Sequence, residues 1–283
     1  MTVLEAIQKS AEFLGNKGVE SPRLQVELLL AHLLKMPRMK LYLNFDRVLA
    51  PAEIDELRRF VQRRGAREPL QHITGSVSFC GLEIHVASGA LIPRPETELL
   101  AEAGWEFLSG SKIAAPQVLD FGTGAGCIAI AIAAKCPAAR ITALDVSSDA
   151  LALARENAGR HPAAAAIEFV CGDGFAALPP GARYDLIVSN LPYIPSAEIA
   201  GLQPEVRDFD PRGALDGGPD GLKFYRMLAA QGGTFLKSDG RLMAEFGDGQ
   251  AGAIRDLLEG EKWIVEAVRA DYSQRARILI AKR

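Results

Sequence analysis

The sequence predicts an α/β protein: a mostly parallel, seven-stranded sheet preceded by a small bundle of helices. From Gln117 onward, short apolar runs alternate with helical runs, and no helix fits between the last two apolar runs. Strand–helix alternation is typical of a parallel sheet covered by helices, and the closing pair predicts an antiparallel hairpin at its edge. Up to about Arg67, apolar residues recur at helical spacing with no strand pattern between them.

Residues 1–70 form the predicted helical bundle. A first helix extends from Thr2 to about Gly15, a second begins at Ser21 and Pro22, and a third begins near Pro51. We expect Ser21 to cap the second helix with its side chain, and Pro22 suits the first helical turn. The third helix carries five arginines, which either meet an acidic partner or form a solvated face: Arg58, Arg59, Arg63, Arg64 and Arg67.

Residues 71–90 are interpreted as a linker that contains a β-hairpin, because two alternating runs are separated by Gly81. Residues 91–283 form the predicted catalytic domain. At its start, Pro93 and Pro95 exclude a helix until about Glu96, and this stiff, polar segment could line a cleft or serve as a linker. The predicted strands span residues 117–121, 140–144, 167–170, 184–188, 240–246, 263–268 and 277–281. The predicted helices span residues 97–108, 127–135, 148–160, 222–235 and 251–258.

Composition excludes several classes of protein. The 283 residues are 48% hydrophobic and 24% charged with a net charge of -3, which argues against a protein that mainly holds long nucleic acid. The four Cys and four His are scattered, so we expect no disulfide framework and no metal site. The amino terminus lacks a signal-peptide pattern, and no apolar run approaches the roughly 18 residues of a membrane span. We therefore expect a cytoplasmic protein.

Polar residues and glycines follow three successive strands. The first strand runs into a glycine loop, Gly122-Thr123-Gly124-Ala125-Gly126, and Asp145 and Asp173-Gly174 end the next two strands. Glycines let a ligand approach a helix start closely, and a carboxylate at the second strand can accept hydrogen bonds from a ribose. This arrangement predicts a nucleoside site at the carboxyl edge of the sheet. The alternative is that both aspartates only serve turns and helix caps.

The fourth strand ends in a segment suited to a planar NH2 group. It reads Ser189-Asn190-Leu191-Pro192-Tyr193. Asn190 offers both an amide donor and a carbonyl acceptor, Pro192 restrains Leu191 so that its carbonyl has a defined direction, and Tyr193 adds a flat face. The alternative is an ordinary turn after a strand, with a proline and a surface tyrosine.

These motifs resemble known methyltransferases. The Gly-x-Gly-x-Gly spacing resembles the first motif of class I S-adenosylmethionine-dependent methyltransferases, whose fold is Rossmann-like. The Asn-x-Pro-Tyr segment resembles two branches that methylate planar NH2 groups: DNA adenine or cytosine amino-methyltransferases, and glutamine-amide methyltransferases. Four segments resemble the peptide chain release factor N5-glutamine methyltransferases in particular: residues 68–75, 91–98, 120–126 and 211–221.

The resemblance implies methylation of the glutamine in the Gly-Gly-Gln loop of class I release factors, with S-adenosylhomocysteine as the second product. It implies that Gly122 to Gly126 hold the methionine part of the donor, that Asp145 holds the ribose, that Asp173 and Gly174 lie beside the adenine, and that Asn190 also adjoins the donor. Asn190 and the Leu191 carbonyl would bind the substrate carboxamide, and Tyr193 would pack on its plane. The helical domain would help to hold the release factor.

Two residues depart from the family pattern. Leu191 replaces the first proline of the usual Asn-Pro-Pro-Tyr, so we expect activity with a somewhat looser loop. Gly174 stands where relatives often carry a large aromatic side chain, which leaves open whether one stacks on the adenine.

We expect a monomer. The alternative functions are a DNA amino-methyltransferase, which the acidic balance disfavours, and a non-catalytic adaptor that binds release factor.

Overall fold

The computed structural model describes every residue from Met1 to Arg283. The chain folds into two compact units, and each consists of two segments. The first, helical unit contains Met1–Ser76 and Gln203–Phe209, and the second contains Val77–Leu202 and Asp210–Arg283. No helix is both long and apolar enough to cross a membrane.

Five helices of the first unit enclose a core of aliphatic side chains such as Ile7, Leu29 and Leu57. They are α1 (Val3–Asn16), α2 (Pro22–Leu33), α3 (Arg38–Leu41), α4 (Pro51–Gly65) and α5 (Leu70–Thr74). The first two and the fourth confirm the predicted helices, whereas α3 and α5 are too short to show a helical period. The predicted Ser21 side-chain cap is wrong: Ser21 has a left-handed φ of 47° and makes no capping hydrogen bond.

The arginine face of α4 is largely paired with acidic residues. Arg64 is buried, and it donates together with Arg67 to the carboxylate of Glu205. Burial alone would raise the pKa of Glu205, but the hydrogen bonds from these two arginines outweigh it and lower that pKa to about 2. Glu205 lies in a short helix, α9 (Pro204–Arg207), so these ion pairs tie residues 203–209 to the helical unit.

The second unit confirms the predicted seven-stranded, mostly parallel sheet with an antiparallel edge hairpin. Besides a two-stranded hairpin, β1 (Ser76–Phe79) and β2 (Leu82–His85), its strands are β3 (Gln117–Phe121), β4 (Arg140–Asp145), β5 (Glu168–Cys171), β6 (Tyr184–Asn190), β7 (Leu236–Glu245), β8 (Ile264–Ala270) and β9 (Ala276–Lys282). The sheet order is β5-β4-β3-β6-β7-β9-β8. Because the strand order reverses between β3 and β6, a ligand site is expected beyond the carboxyl ends of these two strands.

Helices cover both faces of this sheet: α6 (Pro95–Gly110), α7 (Cys127–Lys135), α8 (Ser148–Arg160), α10 (Lys223–Gln231) and α11 (Ala251–Gly260). Alternate residues of one strand serve opposite cores, since Leu186 and Val188 pack with α6, α7 and α8, whereas Ile187 packs with α10 and α11. Burial on both faces explains why β6 is apolar without alternation.

Several predicted boundaries needed correction. β7 begins at Leu236 rather than at residue 240. The sequence pattern missed its first half because that half carries polar residues, and its register against β6 shifts after Tyr184. β6 extends to Asn190, so the asparagine is the last residue of the strand rather than part of the following loop. The predicted helix over 222–235 ends at Gln231 and continues as a 3-10 turn through Phe235.

Candidate active site

A cavity of about 300 Å³ opens at the carboxyl edge of the sheet. It lies where the strand order reverses, and every residue that lines it belongs to the second unit. Asn190, Leu191 and Pro192 line it. So do the predicted donor-site residues other than Gly126, namely Gly122, Thr123, Gly124, Ala125, Asp145, Asp173 and Gly174. Tyr193 does not line it.

The glycine loop between β3 and α7 has a backbone that other residues rarely adopt. Its three glycines have φ values of 79°, 56° and 83°. A Cβ at Gly124 would meet no protein atom within 4 Å, so the backbone there leaves open space beside the cavity. A Cβ at Gly126 would lie 3.1 Å from the Ala154 Cβ, so that glycine allows α7 and α8 to pack closely. The loop can therefore approach a ligand closely.

Two buried side chains fasten this loop. Asp120 accepts hydrogen bonds from the Thr123 hydroxyl (2.7 Å) and from the Ala129 N–H (3.1 Å). Burial raises the pKa of Asp120 to about 7. Asn157 donates from its amide to the Ala125 carbonyl (3.0 Å), and it also hydrogen-bonds the backbone of His85. The loop is thus held from both the sheet and α8.

Asp145 stands at the end of β4 and binds the same loop. Its Oδ2 accepts from the Gly124 N–H (2.8 Å), and its Oδ1 accepts from the Ser147 N–H (2.9 Å). A carboxylate has about four acceptor positions, so two remain for the hydroxyls of a ribose. With the apolar walls beside it, this donor set fits a nucleoside.

Gly174 has a left-handed φ of 60°, which an aromatic residue would rarely adopt. The Met227 sulfur lies 3.1 Å from the position that a Cβ would take there, and Met227 and Phe224 line the cavity. The neighbouring Phe175 is buried in the core, stacked on Phe235. Side chains from α10 therefore supply the apolar wall on this side.

Asn190 is fixed at the end of β6. Its Nδ2 donates to the hydroxyl of Thr97 in α6 at 3.0 Å. The preceding Ser189 is fully buried and donates to the Phe121 carbonyl at 2.7 Å, which joins the ends of β3 and β6. The amide oxygen of Asn190 is thus the part of this side chain that is left to accept a hydrogen bond in the cavity.

The residues after Asn190 have different surroundings. Leu191 is buried, and its side chain reaches within 2.7 Å of where a Cβ at Gly122 would lie, so it packs against the glycine loop. Tyr193 packs against the core that includes α10 and α11. Burial raises the pKa of Tyr193 to about 12, so its phenol stays neutral at physiological pH.

Residues 211–221 support the loop that follows β6. The Ile194 N–H donates to the Leu215 carbonyl, and the Ile194 carbonyl accepts from the Gly217 N–H. The Gln250 side chain donates to the Tyr193 carbonyl at 2.9 Å. The glycine-rich segment singled out in the sequence therefore acts as a backbone scaffold.

Sequence reasoning missed several residues of the site: Thr97, Asn157, Phe224, Met227 and Glu245. Thr97 and Glu245 adjoin Asn190, and Asn157 holds the glycine loop. Only Glu245 left a signal in the sequence: it is a charged residue that directly follows the apolar run Leu242-Met243-Ala244.

Two protein-family models match the chain, one in its helical part and one in its sheet part. The model of the PrmC N-terminal domain matches residues 5–75, and the model of the methyltransferase small domain matches residues 99–201.

The chain is similar over most of its length to proteins named release factor glutamine methyltransferase. The protein from Geobacter sulfurreducens is 45% identical over 91% of this chain and 88% of its own length. The one from Chlorobaculum tepidum is 40% identical over 96% of this chain and 94% of its own. The one from Moorella thermoacetica is 39% identical over 100% and 99%.

Solved structures agree on the fold. A ribosomal protein L11 methylase from Lactobacillus delbrueckii has a TM-score of 0.50 at 20% identity, covering 69% of this chain and 81% of its own. A methyltransferase from Pyrococcus furiosus has a TM-score of 0.51 at 18% identity, covering 71% of this chain and 88% of its own.

The fold and the matched domain define a class I methyltransferase. Within that class, the chain belongs to the release factor glutamine methyltransferases.

Proposed function

We propose that this enzyme transfers a methyl group from S-adenosylmethionine to the side-chain amide nitrogen of the glutamine in the Gly-Gly-Gln loop of class I release factors. The observation that carries the proposal is the position of Asn190, whose amide is anchored on Thr97 at the edge of a cavity shaped for a nucleoside. The names of the relatives at 39–45% identity support the same substrate.

The residues of the cavity suit the methyl donor. When bound, S-adenosylmethionine supplies an electrophilic methyl group on a sulfonium. The Gly122–Gly126 loop would hold its methionine part, Asp145 its ribose, and Asp173 and Gly174 its adenine edge. Met227 and Phe224 would pack on the adenine in place of the aromatic residue that Gly174 replaces.

On the acceptor side, the glutamine nitrogen is a weak nucleophile because its lone pair is delocalised into the carbonyl. Asn190 Oδ1 and the Leu191 carbonyl would accept from its two N–H groups, and a fixed pose supplies up to roughly 7–11 kcal/mol of the barrier. A general base is not required, because the nitrogen loses a proton readily once the methyl group has been transferred. Tyr193 would stay neutral, and because its ring packs on the core with α10 and α11 outside the cavity, it would hold the loop after Asn190 rather than cover the amide plane as the resemblance implied.

The helical unit, which matches the PrmC N-terminal domain, would bind the release factor. We propose that the protein works as a monomer in the cytoplasm. The three-part division into residues 1–70, 71–90 and 91–283 remains part of this proposal.

Replacing Asp145 by alanine is expected to weaken donor binding roughly 10-fold to 100-fold, because a ribose would lose a hydrogen-bond partner worth about 1–3 kcal/mol. The same change releases the Gly124 N–H. Calorimetric titration with S-adenosylhomocysteine measures the effect. Asp256→Ala, at an exposed position of α11, is the matched control and should bind normally. Equal affinities of the two variants would contradict the role of Asp145.

Incubation with radiolabelled donor and either release factor or duplex DNA tests the proposed function. We expect label in the release factor alone. Label in DNA would instead indicate an amino-methyltransferase of bases. Release factor that is bound but never labelled, even in a single turnover with excess enzyme, would indicate an adaptor.

A further inference from the structure

A buried carboxylate adjoins the candidate catalytic asparagine. Glu245 is the last residue of β7, directly opposite Asn190 in the parallel β6–β7 register, and its exposure is 2%. Its Oε2 is buried with no hydrogen-bond partner. An incompletely paired buried carboxyl is costly and is retained mainly where it has a task.

Thr97 links this carboxyl to Asn190. Its hydroxyl accepts from the Asn190 amide at 3.0 Å, and its side chain is also buried. Both Thr97 and Asn190 also lie near enough to the Glu245 carboxyl to lower its pKa. A threonine hydroxyl has one proton, and an amide NH2 has two. One Asn190 N–H is directed to Thr97, the other and the Thr97 hydroxyl proton are available to the adjoining Glu245, and Oδ1 is left for the cavity.

We propose that Glu245 and Thr97 form a positioning pair that acts through Asn190, holding its amide so that Oδ1 accepts from the N–H of the substrate carboxamide. This inference rests on the proposed function. Neither residue needs to touch the substrate. In the ionised state, Glu245 accepts from the Asn190 NH2, and this makes Oδ1 a stronger acceptor because hydrogen bonds in a chain polarise one another.

The chemistry of transfer requires such an acceptor. As the nitrogen lone pair forms the new N–C bond, the S–C bond breaks with its electron pair left on sulfur. Positive charge therefore passes from sulfur to nitrogen, and the nitrogen then releases a proton to water. The partial negative charge of Oδ1, which accepts from the N–H, stabilises that positive charge where it develops. The carboxylate of Glu245 acts in the same direction through Asn190.

The protonation state of Glu245 depends on its surroundings. Burial and, to a lesser extent, the charge of Glu96 raise its pKa, whereas polar contact with Thr97 and Asn190 and the charge of Arg277 lower it, and the net result is a pKa of about 7. The charge of Glu245 in turn helps to raise the pKa of Tyr193, Tyr225 and Cys127. Because Glu245 is ionised above pH 7, turnover should be highest there and fall as the pH drops through about 7. Protonated Glu245 no longer accepts from both neighbours.

Two substitutions of Thr97 separate positioning from packing. Thr97→Val keeps the volume but removes the hydroxyl, whereas Thr97→Ser keeps the hydroxyl but removes a methyl group. If Thr97 only fills space, the valine protein should be at least as active as the serine protein. The proposal predicts the opposite order: kcat within about 3-fold of wild type for serine, and a loss of roughly 100-fold for valine, the effect of a misplaced catalytic group. Thermal melting should show that both variants are folded.

Glu245→Gln completes the test with a readout that needs no turnover. In wild-type protein, the side-chain amide signals of Asn190 in a ¹⁵N spectrum should shift with pH, with a midpoint near 7. In the Gln protein the shift should disappear, and kcat should lose its dependence on pH in the same range. Wild-type protein that leaves release factor unmethylated would contradict the proposed function but not this coupling. Amide signals indifferent to Glu245→Gln, or a valine protein as active as the serine protein, would overturn the inference.

Discussion

Asn190→Ala protein is expected to bind the methyl donor normally and to methylate release factor about 100-fold to 1,000-fold more slowly than wild type. That is the loss seen when one preorganised hydrogen-bonding group is removed from an active site. The variant removes Oδ1, the proposed acceptor of the substrate N–H, and it also removes the donor to Thr97. The measurement is kcat in single turnover at saturating donor and release factor.

Donor affinity is the control for this variant, because Asn190 contributes no hydrogen bond to the glycine loop or to Asp145. Affinity for S-adenosylhomocysteine should stay within about 3-fold of wild type, and the melting temperature should show that the protein is folded. A variant that keeps its turnover would remove Asn190 from the reaction. A variant that loses donor binding to the same extent as turnover would assign Asn190 to the donor site.

Gly221→Ala is expected to lower the free energy of unfolding by about 2–5 kcal/mol, the sum of a left-handed backbone strain and an overpacking cost. Gly221 has a φ of 75°, and a Cβ there would lie 2.3 Å from the Tyr193 carbonyl oxygen and 2.5 Å from the Gln250 Nε2. Because these atoms hold the loop after Asn190 in place, turnover should fall with stability. Denaturant unfolding and kcat measure the two effects.

Gly181→Ala is the matched control for that substitution. Gly181 has a similar φ of 80°, but a Cβ there would meet nothing within 4 Å. It should therefore cost only the backbone strain, about 1–2 kcal/mol, and leave turnover unchanged. If the two glycine variants are equally stable and equally active, the segment over residues 211–221 does not act as the proposed scaffold.

The sequence was sufficient for the sheet and for most of the cavity because both depend on local patterns. Apolar runs marked the strands, and a ligand site in such a sheet lies beyond the strand ends. The glycine loop, Asp145 and Asn190 are all strand-end residues, so their clustering followed from the topology alone.

Other features depend on contacts between distant segments, which no local pattern reveals. Thr97 looks like an ordinary residue in the first turn of a helix, and Asn157 looks like a polar residue within one. Their roles depend on Asn190 and Ala125, which they contact across 93 and 32 positions of the chain. Likewise, Tyr193 follows the motif directly, yet its ring packs against a core that is built from α10 and α11.

Mass spectrometry of a digested release factor, after incubation with the enzyme and S-adenosylmethionine, tests the central claim most directly. The account predicts a mass increase of one methylene group on the peptide that contains the Gly-Gly-Gln loop, and fragmentation should place it on the glutamine side chain. The same digest from Asn190→Ala protein should lack it at matched times. A methyl group on another residue, or none with wild-type enzyme, would contradict the account.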